Sequence, residues 1–365
     1  MQMAIRTDAS VNIGSGHVMR CAALAQDVLR KMPEARVLFI CQRVPGHMMD
    51  WLESQGFEVA SMPAVSDPLS DAVHTARLMQ ERRRPDSFNQ WDWLVVDHYQ
   101  LDIVWELEMR KFTKKIMVID DLANRKHDCD LLLDQNLHQN ADHRYQALVP
   151  EHCMQLLGPG FVLLRKEFFE ARKELKLHDV TRSDSDAFRL LVFYGGSDPT
   201  GETMKALDAV EKVAQDQPRL HVQVVTGTSN PARGTIETRC KLMLNTSYIC
   251  QTNQLARFMA SSHLALGAGG VAMWERCYLG LPSLITVTAD NQVESVQAAA
   301  KQGGIHSLGW HASVTSEDVT ASLHRLMTDR ELREDMRNKG MDMMDSNHVR
   351  TQNKVTEILS GGLEP

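Results

Sequence analysis

The residues best suited to acid–base chemistry are a histidine and two glycines near the start of the chain. Gly14, Gly16 and His17 lie between a predicted strand at residues 3–6 and a segment with helical apolar spacing at residues 18–28. Such a turn presents backbone N–H groups and the positive end of a helix to a phosphate. The same helix end disfavours a charged imidazole, so we expect His17 to accept a proton near pH 7. The alternative is an ordinary turn followed by a histidine in solvent.

A second glycine-rich turn lies at residues 267–270, between a predicted strand at 264–266 and a predicted helix at 271–279. Glycines there let the N–H groups of Gly269 and Gly270 approach a diphosphate, which the helix N-terminus attracts without a metal ion. Glu275, inside that helix, is predicted to accept the hydroxyl groups of a ribose. The alternative for Glu275 is a surface ion pair with a neighbouring arginine.

Polar residues follow the predicted strands of both halves. The strand at 93–96 ends in Asp97, His98 and Tyr99, and the strand at 116–119 ends in Asp120 and Asp121. Functional side chains collect at the carboxyl ends of parallel strands. As alternatives, Asp97 caps a helix that begins near residue 102, and Tyr99 only covers the sheet edge.

The second half repeats this arrangement, because four predicted strands each lead into a small polar turn, at residues 195–200, 227–231, 267–270 and 289–292. The triplet Asp128-Cys129-Asp130 resembles the Asp-x-Asp element by which some sugar transferases hold a divalent metal. It precedes a strand instead of following one, so we interpret it as turn residues. The sequence predicts neither a metal site nor a cofactor.

Length and strand–helix alternation predict an α/β protein of two Rossmann-like domains. A chain of 365 residues exceeds what one core usually fills. We expect domains at 1–178 and 188–365, joined by the polar stretch at 176–187. The final helical run at 349–359 is expected, by analogy with other two-domain α/β proteins, to pack back on the first domain.

Composition excludes several functional classes. A net charge of -7 argues against general binding of nucleic acid or anionic membranes, and Arg82-Arg83-Arg84 is interpreted as a solvated helix end. The first residues lack the apolar core of a signal peptide, and no long apolar run could cross a membrane, so a cytoplasmic location is expected. Seven cysteines without a Cys-x-x-Cys pair suggest neither a zinc site nor a disulfide framework. No obligate protein partner is evident.

The absence of two sequence motifs argues against two nucleotide-dependent activities. The chain has no Gly-x-x-x-x-Gly-Lys-Ser/Thr loop, which weakens ATP hydrolysis. The turn at Gly14 lacks the third glycine of a dinucleotide fingerprint, which weakens hydride transfer. The sequence therefore favours a two-domain protein with one glycine-rich turn on each side of an expected cleft.

A series of short motifs occurs in order along most of the chain: IRTDAS at 5–10, IGSGHVMRC at 13–21, DHY at 97–99, IDDL at 119–122, CDLLLDQN at 129–136, LRKEF at 164–168, GGSDP at 195–199, SNP at 229–231, GAGG at 267–270, WERC at 274–277, LGLP at 279–282 and NQ at 291–292. In these motifs the chain resembles the nucleotide-sugar hydrolases of pseudaminic acid biosynthesis. The resemblance covers most of the chain, apart from residues 63–89 and those after 309.

The resemblance implies a fold, an activity and site residues. The fold would be two Rossmann-like domains facing across a cleft, as in GT-B glycosyltransferases that use UDP-sugars. The activity would be hydrolysis of UDP-2,4-diacetamido-2,4,6-trideoxy-β-L-altropyranose, a step toward the sugar that decorates flagellin. His17 would be the general base, Glu275 part of the UDP site, and Tyr99 and Asn291 near the sugar. The full set of candidate substrate-binding residues is Gly14, Gly16, Asp97, Tyr99, Gly196, Ser197, Asp198, Gly269, Gly270, Glu275, Asn291 and Gln292.

Two other functions stay open on the sequence. A GT-B glycosyltransferase would transfer the sugar to an acceptor instead of water. A non-catalytic nucleotide-sugar-binding module would keep the turn at 267–270 but would not use a base at His17.

Overall fold

The computed structural model describes residues 1–11, 13–83, 90–177, 187–345 and 354–361. The chain forms two compact units. The first contains Met1–Arg165 together with the C-terminal helix, and the second begins at Lys166. None of the helices in these ranges is both long and apolar enough for a membrane crossing.

The first unit is built on a seven-stranded parallel sheet of order β3-β2-β1-β4-β5-β6-β7. Successive residues of β4 alternate between the two faces, so that Val95 joins one core with Leu24 while Leu94 joins the other with Trp105. Helices cover both faces, which explains the continuous apolar runs inside strands such as β4, at residues 93–96. The strands are β1 (Gln2–Thr7), β2 (Arg36–Gln42), β3 (Glu58–Met62), β4 (Trp91–Asp97), β5 (Thr113–Ile119), β6 (Leu131–Asp134) and β7 (Met154–Leu157). The helices are α1 (Gly16–Lys31), α2 (Met49–Ser54), α3 (Pro68–Glu81), α4 (Ile103–Met109) and α5 (Ala141–Arg144), with a 3₁₀ turn at Pro159–Phe161.

The second unit is built on a six-stranded parallel sheet of order β10-β9-β8-β11-β12-β13, and a core on one of its faces includes Leu190, Leu266 and Leu284. Its first helix is α6 (Lys166–Leu177). Its strands are β8 (Phe188–Phe193), β9 (Leu220–Thr226), β10 (Thr246–Cys250), β11 (Leu264–Ala268), β12 (Ser283–Val287) and β13 (His306–Trp310). The remaining helices are α7 (Glu202–Asp216), α8 (Arg233–Leu242), α9 (Leu255–Ser261), α10 (Val271–Tyr278), α11 (Val293–Lys301), α12 (Ser316–Thr328) and α13 (Arg330–Asp345), with a 3₁₀ turn at Asp290–Gln292.

Each sheet has one switch point, where the order of the strands along the chain reverses direction. In the first unit it lies between β1 and β4, and in the second between β8 and β11. Ligands of open parallel sheets bind outside the carboxyl ends of the strands at this position. The glycine-rich segment at residues 14–17 follows β1, and the one at residues 267–270 begins in the last two residues of β11. The predicted α/β architecture is confirmed, and both glycine-rich turns lie at switch points.

The division into units differs from the expected boundary at residue 178, because α6 belongs to the second unit. The ring of Phe169 packs against Tyr278 of α10, and the guanidinium of Arg172 stacks on the same tyrosine at 4.3 Å. Arg172 also forms an ion pair with Asp345 at 2.6 Å. These contacts tie α6 to the second sheet's helices. Most of the expected linker, residues 178–186, lies outside the described residues.

The C-terminal helix α14 (Lys354–Leu359) packs within the first unit. The indole Nε1 of Trp93 donates a hydrogen bond to the carbonyl of Leu359 at 3.0 Å, and Thr356 donates to Asp27 at 2.5 Å. Val355 belongs to the core of the first unit. The beginning of the expected helical run, residues 349–353, lies outside the described residues, as does Arg84 of the arginine cluster.

Candidate functional site

His17 and Asp97 meet at the switch point of the first unit. His17 lies in the first turn of α1 and is 7% exposed, while Asp97 is the last residue of β4. The Nδ1 atom of His17 contacts carboxylate oxygen Oδ1 of Asp97. A carboxylate can only accept, so Nδ1 carries the proton and Nε2 is the nitrogen that can take a proton from a ligand. The solvent-exposed alternative for His17 is therefore wrong.

Arg20 fixes the Asp97 carboxylate from the other side. Its Nε and Nη2 atoms donate to the two oxygens of Asp97, each at 2.6 Å, in the forked geometry of a strong ion pair. Burial by itself would raise the pKa of Asp97, but the charge of Arg20 and the hydrogen bonds from Arg20 and His17 bring that pKa well below its usual range. Asp97 is therefore a carboxylate at neutral pH. Arg20 was not predicted, although it lies one helical turn after His17.

The alternative role of Asp97 as a helix cap is wrong. The N-cap of α4 is Asp102, whose side chain accepts a hydrogen bond from the N–H of Val104 at 3.0 Å. His98, the next residue after Asp97, turns toward a different group, since its Nε2 lies 3.3 Å from the carboxylate of Asp8. At the end of β4, Asp97 therefore contacts His17, whereas His98 contacts Asp8.

Tyr99 and Asp121 complete the surroundings of His17. The ring of Tyr99 packs edge-on against the imidazole, with ring centroids 4.6 Å apart. Its hydroxyl donates to Asp121 at 3.4 Å, and Arg20 donates to the same oxygen at 3.3 Å. Burial and the charge of Asp121 raise the pKa of Tyr99, so the phenol stays protonated. The strand order β1-β4-β5 explains the grouping, because these side chains follow three adjacent strands.

The two glycines before His17 have different roles. Gly14 has a φ of 80°, which favours glycine, and its N–H donates to the carbonyl of Ser10 at 2.8 Å. This N–H is therefore used inside the turn and does not face an anion. Gly16 begins α1, and a methyl group there would meet no atom within 4 Å.

In the second unit, the turn at residues 267–270 is packed tightly between β8 and α10. A Cβ atom at Gly267 would lie 2.6 Å from the carbonyl oxygen of Phe193 and 2.5 Å from Nη1 of Arg276. A Cβ at Gly269 would lie 2.3 Å from Val296. Close packing therefore requires glycine at both positions, independently of any ligand.

The N–H of Gly269 is already bonded, which corrects its predicted role as a phosphate donor. It donates at 3.2 Å to Oε1 of Gln292, which also accepts from the N–H of Thr288 at 3.0 Å. The amide nitrogen Nε2 of Gln292 lies on the side of Gly270, 4.0 Å from the position of a Cβ atom there. Gln292 thus joins the turn after β11 to the turn after β12.

The turn after β8 has a structural role that the sequence did not suggest. Both carboxylate oxygens of Asp198 accept backbone N–H groups, from Glu202 and Thr203, each at 2.9 Å. Asp198 therefore stabilises the start of α7 by accepting two of its first N–H groups. The carbonyl of Gly196 accepts from the N–H of Gly227 at 3.1 Å.

The other predicted residues of this unit lie in segments that follow β8, β11 and β12. Ser197 is buried in the turn after β8. Glu275 is buried in the middle of α10, and Asn291 lies in the 3₁₀ turn after β12, beside Gln292. Within the described ranges, histidines, cysteines and carboxylates form no group of three that could hold a metal ion.

We expect Gly267→Ala to lower the free energy of unfolding by about 1–3 kcal/mol, because its methyl group would overlap the Phe193 carbonyl and the Arg276 guanidinium. Urea unfolding measures this change. Gly234→Ala in α8 is the matched control: the new methyl group meets no atom within 4 Å, so the helix should gain about 0.5–1 kcal/mol. Equal effects of the two substitutions would contradict the packing described at Gly267.

Sequence comparison finds relatives whose names refer to polysaccharide biosynthesis and to nucleotide-sugar hydrolysis. No family model matches it. It is 27% identical over 202 residues to the spore coat polysaccharide biosynthesis protein SpsG of Bacillus subtilis, a match that spans 55% of this chain and 57% of that protein. It is 23% identical over 305 residues to the UDP-2,4-diacetamido-2,4,6-trideoxy-β-L-altropyranose hydrolase of Campylobacter jejuni, spanning 83% of this chain and 97% of that protein.

The fold is also found in solved structures. MurG of Acinetobacter baumannii matches over 99% of both chains, with a TM-score of 0.62 and 12% identity. At this identity the likeness establishes the fold and nothing further. The resemblance predicted from the motifs is confirmed: the chain is a relative of the UDP-2,4-diacetamido-2,4,6-trideoxy-β-L-altropyranose hydrolase and has the GT-B fold.

Proposed function

We propose that the chain processes a nucleotide-linked sugar, and specifically that it hydrolyses UDP-2,4-diacetamido-2,4,6-trideoxy-β-L-altropyranose to UDP and the free sugar. The match over 83% of the chain to a hydrolase of that name supports the substrate. The contact between His17 and Asp97 carries the reaction type, because it leaves Nε2 of a buried imidazole ready to accept a proton. The reaction would serve pseudaminic acid biosynthesis and, through it, the glycosylation of flagellin.

The proposed chemistry needs little more than a positioned base. A sugar carbon that bears a diphosphate already has a good leaving group, so the enzyme must orient a water molecule, remove its proton and stabilise the departing charge. Nε2 of His17 takes the proton while the water oxygen bonds to C1. The bond between C1 and the diphosphate oxygen breaks with inversion, and its electron pair leaves on UDP.

The nucleotide would bind at the switch point of the second unit. The start of α10, at Gly270, offers a positive helix end for the diphosphate, and Gln292 offers its amide nitrogen beside the same turn. Glu275 would accept the ribose hydroxyls. Tyr99 and Asn291 would contact the sugar. The proposal requires both switch points to act on one substrate.

Product analysis of the purified protein with the UDP-sugar tests this proposal against its two alternatives. We expect UDP and free sugar to appear in equal amounts whether or not lipid or protein acceptors are present. Transfer of most of the sugar to an acceptor would indicate a glycosyltransferase. Binding of the UDP-sugar without turnover would indicate a nucleotide-sugar-binding module.

A further inference from the structure

Arg276, on α10, is a fully buried arginine that lacks a carboxylate partner among the described residues. It is 0% exposed, and its Nη2 atom donates one hydrogen bond, to the carbonyl of Ala268 at 2.7 Å. Its Nε and Nη1 atoms have no hydrogen-bond partner in the part of the chain that the structure describes. Burying an unpaired cation opposes folding, so this arrangement calls for a reason.

Two other buried arginines show the usual solution. Arg6 forms ion pairs with Asp8 and Asp71, and Arg20 forms ion pairs with Asp97 and Asp121. Arg6 is 0% exposed and Arg20 is 4% exposed, and each has two carboxylate partners. Arg276 therefore differs from these two buried arginines, because the described residues supply no carboxylate to balance its charge.

The guanidinium lies directly behind the glycine-rich turn at residues 267–270. Its Nη1 atom is 2.5 Å from the position that a Cβ atom of Gly267 would occupy. Burial lowers the pKa of Arg276 to about 10, which still leaves it protonated at neutral pH. Glu275, Cys277 and Tyr194 are the titratable groups that influence it, and their electrostatic effects are smaller than that of burial. A full positive charge thus lies against the glycine-rich turn at residues 267–270, where α10 begins.

We propose that Arg276 is a positioning residue that attracts the diphosphate of a nucleotide through the glycine-rich turn, without touching it. This inference rests on the proposed function and adds to it the source of the anion affinity. Charges interact strongly across a protein interior, where water does not screen them. A carboxylate partner would cancel that attraction, whereas a bound diphosphate would supply the counter-charge. The competing explanation is that Arg276 only ties α10 to the Ala268 carbonyl.

Calorimetric binding of UDP, uridine and inorganic pyrophosphate to the full chain distinguishes these explanations. Arg276→Met keeps the length and apolar packing of the side chain but removes the charge. We expect it to weaken UDP and pyrophosphate binding on the order of 10-fold or more and to leave uridine binding unchanged. The unfolding temperature of Arg276→Met should equal or exceed that of the wild type, since the substitution removes an unpaired buried charge. Arg276→Lys keeps the charge and should keep the preference for UDP over uridine.

Each contrary result has a distinct meaning. If wild type binds UDP and Arg276→Met binds it equally well, the inference is wrong and the proposed function stands. If Arg276→Met fails to fold, unfolds at a lower temperature, or loses uridine and UDP binding in equal measure, the role is structural and the inference is again wrong. If the wild type binds neither UDP nor pyrophosphate, both the inference and the proposed function are wrong.

Discussion

Replacing His17 with glutamine is expected to lower kcat for UDP-sugar hydrolysis on the order of 10² to 10⁴-fold, because the attacking water would lose its base. UDP affinity should stay close to that of the wild type, since His17 lies in the first unit and the proposed nucleotide site in the second. Steady-state kinetics and calorimetric UDP binding measure the two effects.

His152→Ala is a control for the removal of a histidine, because that side chain is 62% exposed and far along the chain from the proposed base. It should leave kcat unchanged. A His17→Gln enzyme that keeps more than about a tenth of the wild-type kcat would remove His17 from the role of base.

Asp97→Asn is expected to lower kcat by about 10²- to 10⁴-fold as well, because a neutral amide can turn its NH₂ toward Nδ1 and stabilise the wrong imidazole tautomer. The substitution also removes the carboxylate that accepts two hydrogen bonds from Arg20. We therefore expect a loss of roughly 3–5 kcal/mol in the free energy of unfolding. Kinetics and urea unfolding measure these effects separately.

A double variant separates positioning from general damage. If Asp97 acts through His17, then Asp97→Asn combined with His17→Gln should have the same kcat as His17→Gln alone, because the imidazole that Asp97 orients is already gone. The loss of unfolding free energy should persist in the double variant. Further loss of kcat, in proportion to the effect of Asp97→Asn alone, would contradict a positioning role.

The sequence predicted the elements that carry strong local signals. Buried parallel strands such as β4 and β11 are contiguous apolar runs, and both are bounded by turn residues, so their positions could be predicted. The edge strands β10 and β13 were missed because their residues are half-exposed and include polar side chains. The edge strand β7, at residues 154–157, is only four residues long and was also missed.

The candidate site was predicted as a set of residues but not as a set of contacts. Asp97 and His17 are 80 positions apart, and only the adjacency of β1 and β4 brings them together. The helix-capping role of Asp198 and the bond from Gly269 to Gln292 depend on loop geometry that residue types do not specify. Arg20 and Arg276 could have been noticed as arginines within otherwise apolar helix faces, but their partners are set by tertiary structure.

Hydrolysis in water enriched in heavy oxygen tests most directly whether water attacks the sugar carbon, as the mechanism proposed for His17 requires. The account predicts that the UDP released carries no label, because its oxygen atoms all come from the substrate and the new bond forms at C1. Mass spectrometry of UDP from a short incubation provides the measurement. Heavy oxygen on the terminal phosphate of UDP would show that water attacks phosphorus, and it would contradict the mechanism proposed for His17.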